Sequence, residues 1–260
     1  MPSVLNCRHI GKIFVRPLVP ITMLQERLLS RRTRSQPWQI DALKDISLSL
    51  SKGEWLGLYG HNGSGKTTLL RILAGLMQPD HGDIVRLGTI SCFFSLGVGF
   101  HPELNAEENI RLHGLLHGMT QREIRALAGS IIAFAEIESH RKLPIKCYST
   151  GMELRLGFAA SIHTDADIYL MDEVFAVGDE AFQKKCWQVL RRRKEEGKSV
   201  IMVSHSQSAL EEICDRIIFL EHGSVVGEEK IMKTVQLHTV AKNIESFVQG
   251  LAPRSAPMEN

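Results

Sequence analysis

Residues Gly60, His61, Asn62, Gly63, Ser64, Gly65, Lys66 and Thr67 fit the pattern G-x-x-x-x-G-K-[S/T] at every fixed position. Glycines at these places let the backbone curl until successive N–H groups face inward. The result is an anion nest at the start of a helix. Lys66 brings a point charge to the β- and γ-phosphates of a nucleotide, and the Thr67 hydroxyl can ligate Mg²⁺. Thr68 continues the same cradle. A chance match in a chain of this size is expected about once in a hundred. The flanking residues, an apolar run before and a helical pattern after, lower that further.

Asp172 and Glu173 close another apolar run, residues 168–171. A carboxylate at the end of a buried strand beside a phosphate loop can hold Mg²⁺, directly or through water. Its neighbour Glu173 is then available to polarise an attacking water as general base. His205 closes a third run, residues 200–204. As the end of a parallel strand it projects toward the sheet edge where such folds bind ligands. A neutral imidazole there can donate a hydrogen bond to a γ-phosphate.

These residues need a sheet to carry them. Residues 55–59, 168–171 and 200–203 are short continuous apolar runs, the mark of strands buried on both faces. Each neighbours a helical pattern, so the expected core is a parallel sheet built by βα alternation. Residues 4–13 and 46–50 alternate more weakly and read as further strands. Residues 79–82, Pro-Asp-His-Gly, carry turn chemistry. The middle third differs: residues 107–119 and 120–137 read as helices, the second opened by a capping box of Thr120 and Glu123. No strand is expected between about 105 and 161. A second capping box, Ser208 with Glu211, is expected to start a later helix leading into the apolar run 217–220. The chain after Gly227 reads as a short, mostly helical tail.

Composition excludes several classes. Of the 260 residues, 43% are hydrophobic and 23% charged, an ordinary globular balance. Thirty-one Lys and Arg against 29 Asp and Glu leave a formal charge of +2, too weak to attract nucleic acid in bulk. Five scattered cysteines, with no C-x-x-C pair, fit a reducing compartment rather than a disulfide framework. The start of the chain lacks the apolar core of a signal peptide. The longest uncharged run, residues 87–100, is too short and glycine-rich to span a bilayer. Residues 23–38 hold Arg27, Arg31, Arg32 and Arg34 and read as a solvated loop or short amphipathic helix. The alternative is contact with anionic headgroups or a membrane partner.

Together these features resemble the ATP-binding subunits of ABC transporters. Residues 148–152, Tyr-Ser-Thr-Gly-Met, occupy the place of that family's signature loop. Against its usual Leu-Ser-Gly-Gly-Gln, Ser149 and Gly151 match while Thr150 and Met152 depart. The resemblance implies a P-loop NTPase of ABC type: an α/β fold with a mostly parallel core sheet, an antiparallel β subdomain and an inserted helical subdomain. It implies that Ser149 and Gly151 contact the γ-phosphate held by an opposite protomer, and that Asp179 lies in the loop bridging the two. An adenine-stacking aromatic is expected near the end of the first strand; Phe14 is the candidate, with Trp38 as the alternative. The family's glutamine after the second phosphate-side strand is missing, and Ser95 is the nearest polar residue.

The departures are similar to those of the exporters of O-antigen, capsule and teichoic-acid polymers. Residues 96–103, 107–110 and 177–186, and the long insert before Ala42, are like that branch too. The resemblance covers about residues 4–228. It implies an ATP-binding domain over 1–228, with 105–161 inserted, and a tail over 229–260. It also implies a homodimeric, Mg²⁺-dependent ATPase on the cytoplasmic face of the inner membrane. Such a dimer powers a polytopic permease that exports a lipid-linked glycan, with no nucleic-acid partner. Two other functions compete with this one, a non-transport ABC ATPase and a nucleotide-gated scaffold of low turnover. An import subunit is the weaker transport alternative.

Overall fold

The structure is a computed structural model and describes residues 2–16, 38–94, 100–172 and 178–231. Two sheets organise it. β1 (Ser3–Arg16), β2 (Trp38–Ser51) and β4 (His81–Arg86) form an antiparallel sheet in the order β2-β1-β4. β3 (Trp55–Tyr59), β5 (Ile90–Phe93), β6 (Ile168–Asp172), β7 (Ser199–Ser204), β8 (Arg216–Glu221) and β9 (Ser224–Lys230) form the second, ordered β5-β6-β7-β3-β8-β9. Its first five strands are parallel, and β9 closes the edge antiparallel to β8.

Side-chain alternation along the central strands divides the core in two. Leu56 and Leu58 of β3 face α1 (Lys66–Leu73) and the antiparallel sheet, joining Ile10, Ile46, Leu69, Leu170 and Ile201 in one cluster. Trp55 of the same strand faces the other way, toward Phe158, Tyr169, Phe182 and Met202. The apolar runs at 55–59, 168–171 and 200–203 are therefore buried on both faces, as their continuity predicts.

The middle of the chain folds as helices. α2 (Ala106–Leu116) and α3 (Gln121–Ala135) pack with α4 (Thr150–His163) around Ile110, Ile132, Ala135 and Leu156. Thr120 and Glu123 do form a capping box at the start of α3. A second box, Asn105 with Glu108, starts α2. Among the described residues from 101 to 163 only an isolated bridge, Asn105 with Pro144, has strand character.

Two expectations are corrected. Ser208 does not cap the later helix: α6 (Gln207–Ile213) starts two residues earlier, on Ser206, whose Oγ accepts from the Ala209 N–H at 3.3 Å. Ser208 instead meets the Ser206 hydroxyl, and Glu211 accepts from Gln207. Nor does helix begin after Gly227, because β9 runs on to Lys230. Its polar sequence hid an edge strand that needs one buried face at most. Residues 232–260 lie outside the described residues, as do 23–37 of the basic stretch.

Candidate nucleotide site

β3 ends at Tyr59, and the turn that follows delivers the chain into α1. Gly63 and Gly65 take positive φ, +81° and +101°, which residues with a side chain rarely adopt. Gly65 also has no room for one: a Cβ would sit 2.6 Å from the Ala42 carbonyl oxygen. At Gly60 a Cβ would run into the Leu220 carbonyl. The fixed glycines of the pattern thus answer both to backbone conformation and to close packing against β2 and β8.

Lys66 is buried, and its ammonium folds back over the loop. Nζ donates to the carbonyl oxygens of Gly60 at 2.5 Å and His61 at 2.8 Å. A buried cation must be satisfied, and these carbonyls do so at the mouth of the anion nest. One residue on, Thr67 Oγ1 donates to Asp172 Oδ2 at 2.9 Å. Asp172 is the last residue of β6 and is itself buried. This hydroxyl and carboxylate form an oxygen-only donor pair, the chemistry that a hard divalent cation such as Mg²⁺ takes.

A cleft of about 360 Å³ opens beside the loop. Of the residues expected there, Asn62, Gly63, Gly65, Lys66, Thr67, Thr68, Asp172 and His205 line it. His205 follows β7 directly and is exposed. Glu173 and Ser95 lie outside the described residues.

The opposite wall is one that the sequence did not disclose. Ile40, Asp41, Ala42 and Lys44 of β2 and His222 of the β8–β9 turn line it. Gly223 locks that turn in place. Its N–H donates to the Ser64 carbonyl at 3.1 Å, and its carbonyl accepts from the Lys44 N–H at 2.6 Å. The signal was the His-Gly pair at 222–223, a turn whose partner strand was not visible. Phe14 pairs with Ile40 across the β1–β2 ladder but does not itself line the cleft. Trp38 stands exposed on the same hairpin, paired with Arg16.

Three residues carried by the resemblance lie elsewhere. Ser149 is the N-cap of α4, its Oγ accepting from the Met152 N–H at 3.2 Å. Gly151 sits in the first turn of that helix. Asp179 caps α5 (Glu180–Glu195) through the Phe182 N–H at 2.9 Å. That hydrogen bond, followed by the Arg155 guanidinium, holds its carboxyl below the usual range. None of the three lines the cleft.

The ABC transporter family matches residues 43–176, just over half of the chain, from β2 through the phosphate loop to the segment after Asp172. The chain belongs to that family. Among ABC proteins it is 42% identical over 186 residues to the O-antigen export system ATP-binding protein RfbB of Myxococcus xanthus, covering 72% of this chain and 43% of that one. It is 42% identical over 210 residues to the teichoic acids export ATP-binding protein TagH of Listeria innocua, covering 80% and 60%. The chain thus spans less than two thirds of either relative. A dimeric structure of the ATP-binding cassette MJ0796, bound to ADP and Pi, superposes with a TM-score of 0.70. That match is 24% identical and covers 87% of this chain and 98% of the other, so it establishes the ABC cassette fold. Sequence similarity to the O-antigen and teichoic-acid exporters bears out the branch that the signature resembled.

Proposed function

We propose that this chain is the ATP-hydrolysing subunit of an ABC exporter and powers movement of a lipid-linked polysaccharide across the cytoplasmic membrane. The observation that carries the reading is the conjunction at one sheet edge of the Lys66 ammonium, the anion nest and the Thr67–Asp172 pair. The names of the relatives supply the transported class. A nucleotide entering the cleft exchanges its phosphate oxygens for the loop carbonyls that Lys66 now holds. Thr67 and Asp172 would hold Mg²⁺, which supplies neutralising charge on the phosphate oxygens. Glu173 takes a proton from the attacking water as its oxygen bonds to the γ-phosphorus. The bond to the β-phosphate oxygen breaks, and ADP leaves with that electron pair. His205 orients the γ-phosphate from the end of β7.

Gly151 supports a site split between two copies of the chain. A Cβ there would meet nothing nearer than Ser149 Oγ at 3.9 Å, so the fold does not need glycine at this place. Glycine in the first turn of a helix costs stability, by about 0.5–1 kcal/mol against alanine within a helix. Close approach by an outside group accounts for it, and the N-terminus of α4 suits an anion. Ser149, Gly151 and Asp179 then act on the nucleotide of the partner protomer. Among the described residues no helix is long and apolar enough to cross a membrane. By analogy with the export systems named for its relatives, the reading sets the chain on the cytoplasmic face, docked on a polytopic permease that receives the glycan. The ATP-binding domain proposed over 1–228 is carried on to the end of β9 at Lys230, and 105–161 is its helical insertion.

Turnover tests this. Phosphate release from ATP should be measurable and should rise when the permease is present. Lys66→Ala should lower it by about a hundredfold or more, because a charge contact to the transition state is lost from a buried site. Activity of that variant within a few-fold of the parent contradicts the assignment.

A further inference from the structure

Arg155 follows Ser149 by six residues on α4, and only 18% of its side chain is exposed. Its two terminal nitrogens serve different elements. Nη1 donates to Glu136 Oε2 at 2.7 Å, and Nη2 donates to Asp179 Oδ2 at 2.8 Å. The guanidinium also lies 4.8 Å from the centre of the Phe182 ring, in the first turn of α5. Each carboxylate has a second task. The other oxygen of Asp179 accepts the Phe182 N–H, and the other oxygen of Glu136 accepts from Lys185 Nζ at 2.8 Å. Glu136 is held in the left-handed region, φ 59°, where it ends α3. A non-glycine residue persists in such a conformation only when its surroundings over-determine it.

One planar fork thus ties the C-terminus of α3, the body of α4 and the N-cap of α5. An isolated exposed ion pair contributes little, whereas a planar guanidinium bridging two carboxylates in a network fixes their relative geometry. Lysine cannot reproduce it, having a single ammonium at the end of a flexible stem. The arrangement matters because α4 begins at Ser149 and α5 begins at Asp179.

We propose that Arg155 is a positioning residue that locks these two helix starts to each other, so that Ser149 and Asp179 meet a second copy of the chain as one rigid surface. The proposal rests on the split-site reading given above. Arg155 touches no nucleotide in this scheme; it acts through the residues it holds.

Arg155→Lys and Glu136→Gln test it, each made in the Glu173→Gln background that blocks hydrolysis. Glu136 contacts neither Ser149 nor Asp179 and reaches α5 through both Arg155 and Lys185. Lys185→Met is therefore made as the control: it removes only the second route and should leave the dimer as tight as in the parent. Three quantities are read: ATP affinity of the monomer, hydrogen exchange over residues 179–183, and the ATP-driven dimer dissociation constant by sedimentation. Arg155→Lys and Glu136→Gln should both bind ATP within about twofold of the parent and exchange faster at the Phe182 amide. Both should weaken the dimer about fivefold or more, the lower end of ordinary coupling between sites. If these two dimerise as tightly as Glu173→Gln itself, the positioning role is overturned. A Glu173→Gln parent that binds ATP yet stays monomeric overturns the split-site reading, and this inference with it.

Discussion

Gly223 offers no side chain to a ligand, yet it joins the two walls of the cleft through its own N–H and carbonyl. Its φ is +80°, and a Cβ would lie 2.7 Å from the Ala42 carbonyl oxygen. Gly223→Ala should therefore cost about 1–3 kcal/mol of stability and also weaken ATP binding, because the Ser64 segment of the loop must shift. Gly197→Ala is the control. It shares the strain, with φ +71°, but has open space and no place in the cleft, so stability should fall while ATP affinity holds. Denaturant midpoints and nucleotide titrations check both. A related expectation concerns Mg²⁺. Asp172→Asn should impair turnover severely and raise the Mg²⁺ demand, since it removes charge from the pair with Thr67. Ser95→Ala should change that demand little, and titrating Mg²⁺ against ATPase rate separates the two. At this scale the sequence disclosed the phosphate loop, Asp172 and His205, because local patterns carry them. Lys44 and His222 escaped notice because only strand packing brings residues so far apart in the chain together.

Among the helices, α2 carries a buried histidine with a consequence for pH. His113 packs among the residues that join α2 to α3 and α4, and its Nε2 has no hydrogen-bond partner among the described residues. Burial pushes its pKa down to about 3, with the charge of the neighbouring His117, whose tilted ring is centred 4.2 Å away, adding to the shift. The folded state therefore prefers the neutral ring. That contribution is fully present above the unfolded pKa of about 6.5 and is lost as pH falls from there toward 3. In urea titrations the parent should lose stability across this window by up to about 1.4 kcal/mol per pH unit more than His113→Leu, which has no ring to protonate. Identical slopes contradict the assignment. Most elements that position the site were legible: the three buried strands by continuous apolar runs, α3 by its capping box. The cap of α6 was misread by two residues, since Ser206 and Ser208 offer the same hydroxyl and only the backbone decides between them. β9 was missed because an exposed edge strand needs no apolar face, and the capping box of Asn105 with Glu108 went unread.

In the molecule as a whole, the candidate residues fall into two groups. Lys66, Thr67, Asp172 and His205 gather at one cleft, whereas Ser149, Gly151 and Asp179 stand at helix starts that do not line it. On the split-site reading proposed above, a single copy holds both halves without joining them, and two copies related by a twofold axis complete two sites at once. ATP would then act as an adhesive between protomers, and hydrolysis would remove it. In that proposal the motion reaches a permease through the helical insertion, which Arg155 ties to the start of α5. Such a device needs the dimer to depend on nucleotide. The most direct test is the mass of the Glu173→Gln variant at tens of micromolar, with and without Mg·ATP, by light scattering after size exclusion. The account predicts a monomer without nucleotide and a dimer with it, reverting to monomer when Ser149 is also replaced by Arg. A protein that binds ATP and remains monomeric, or a dimer indifferent to the Ser149 change, would contradict it.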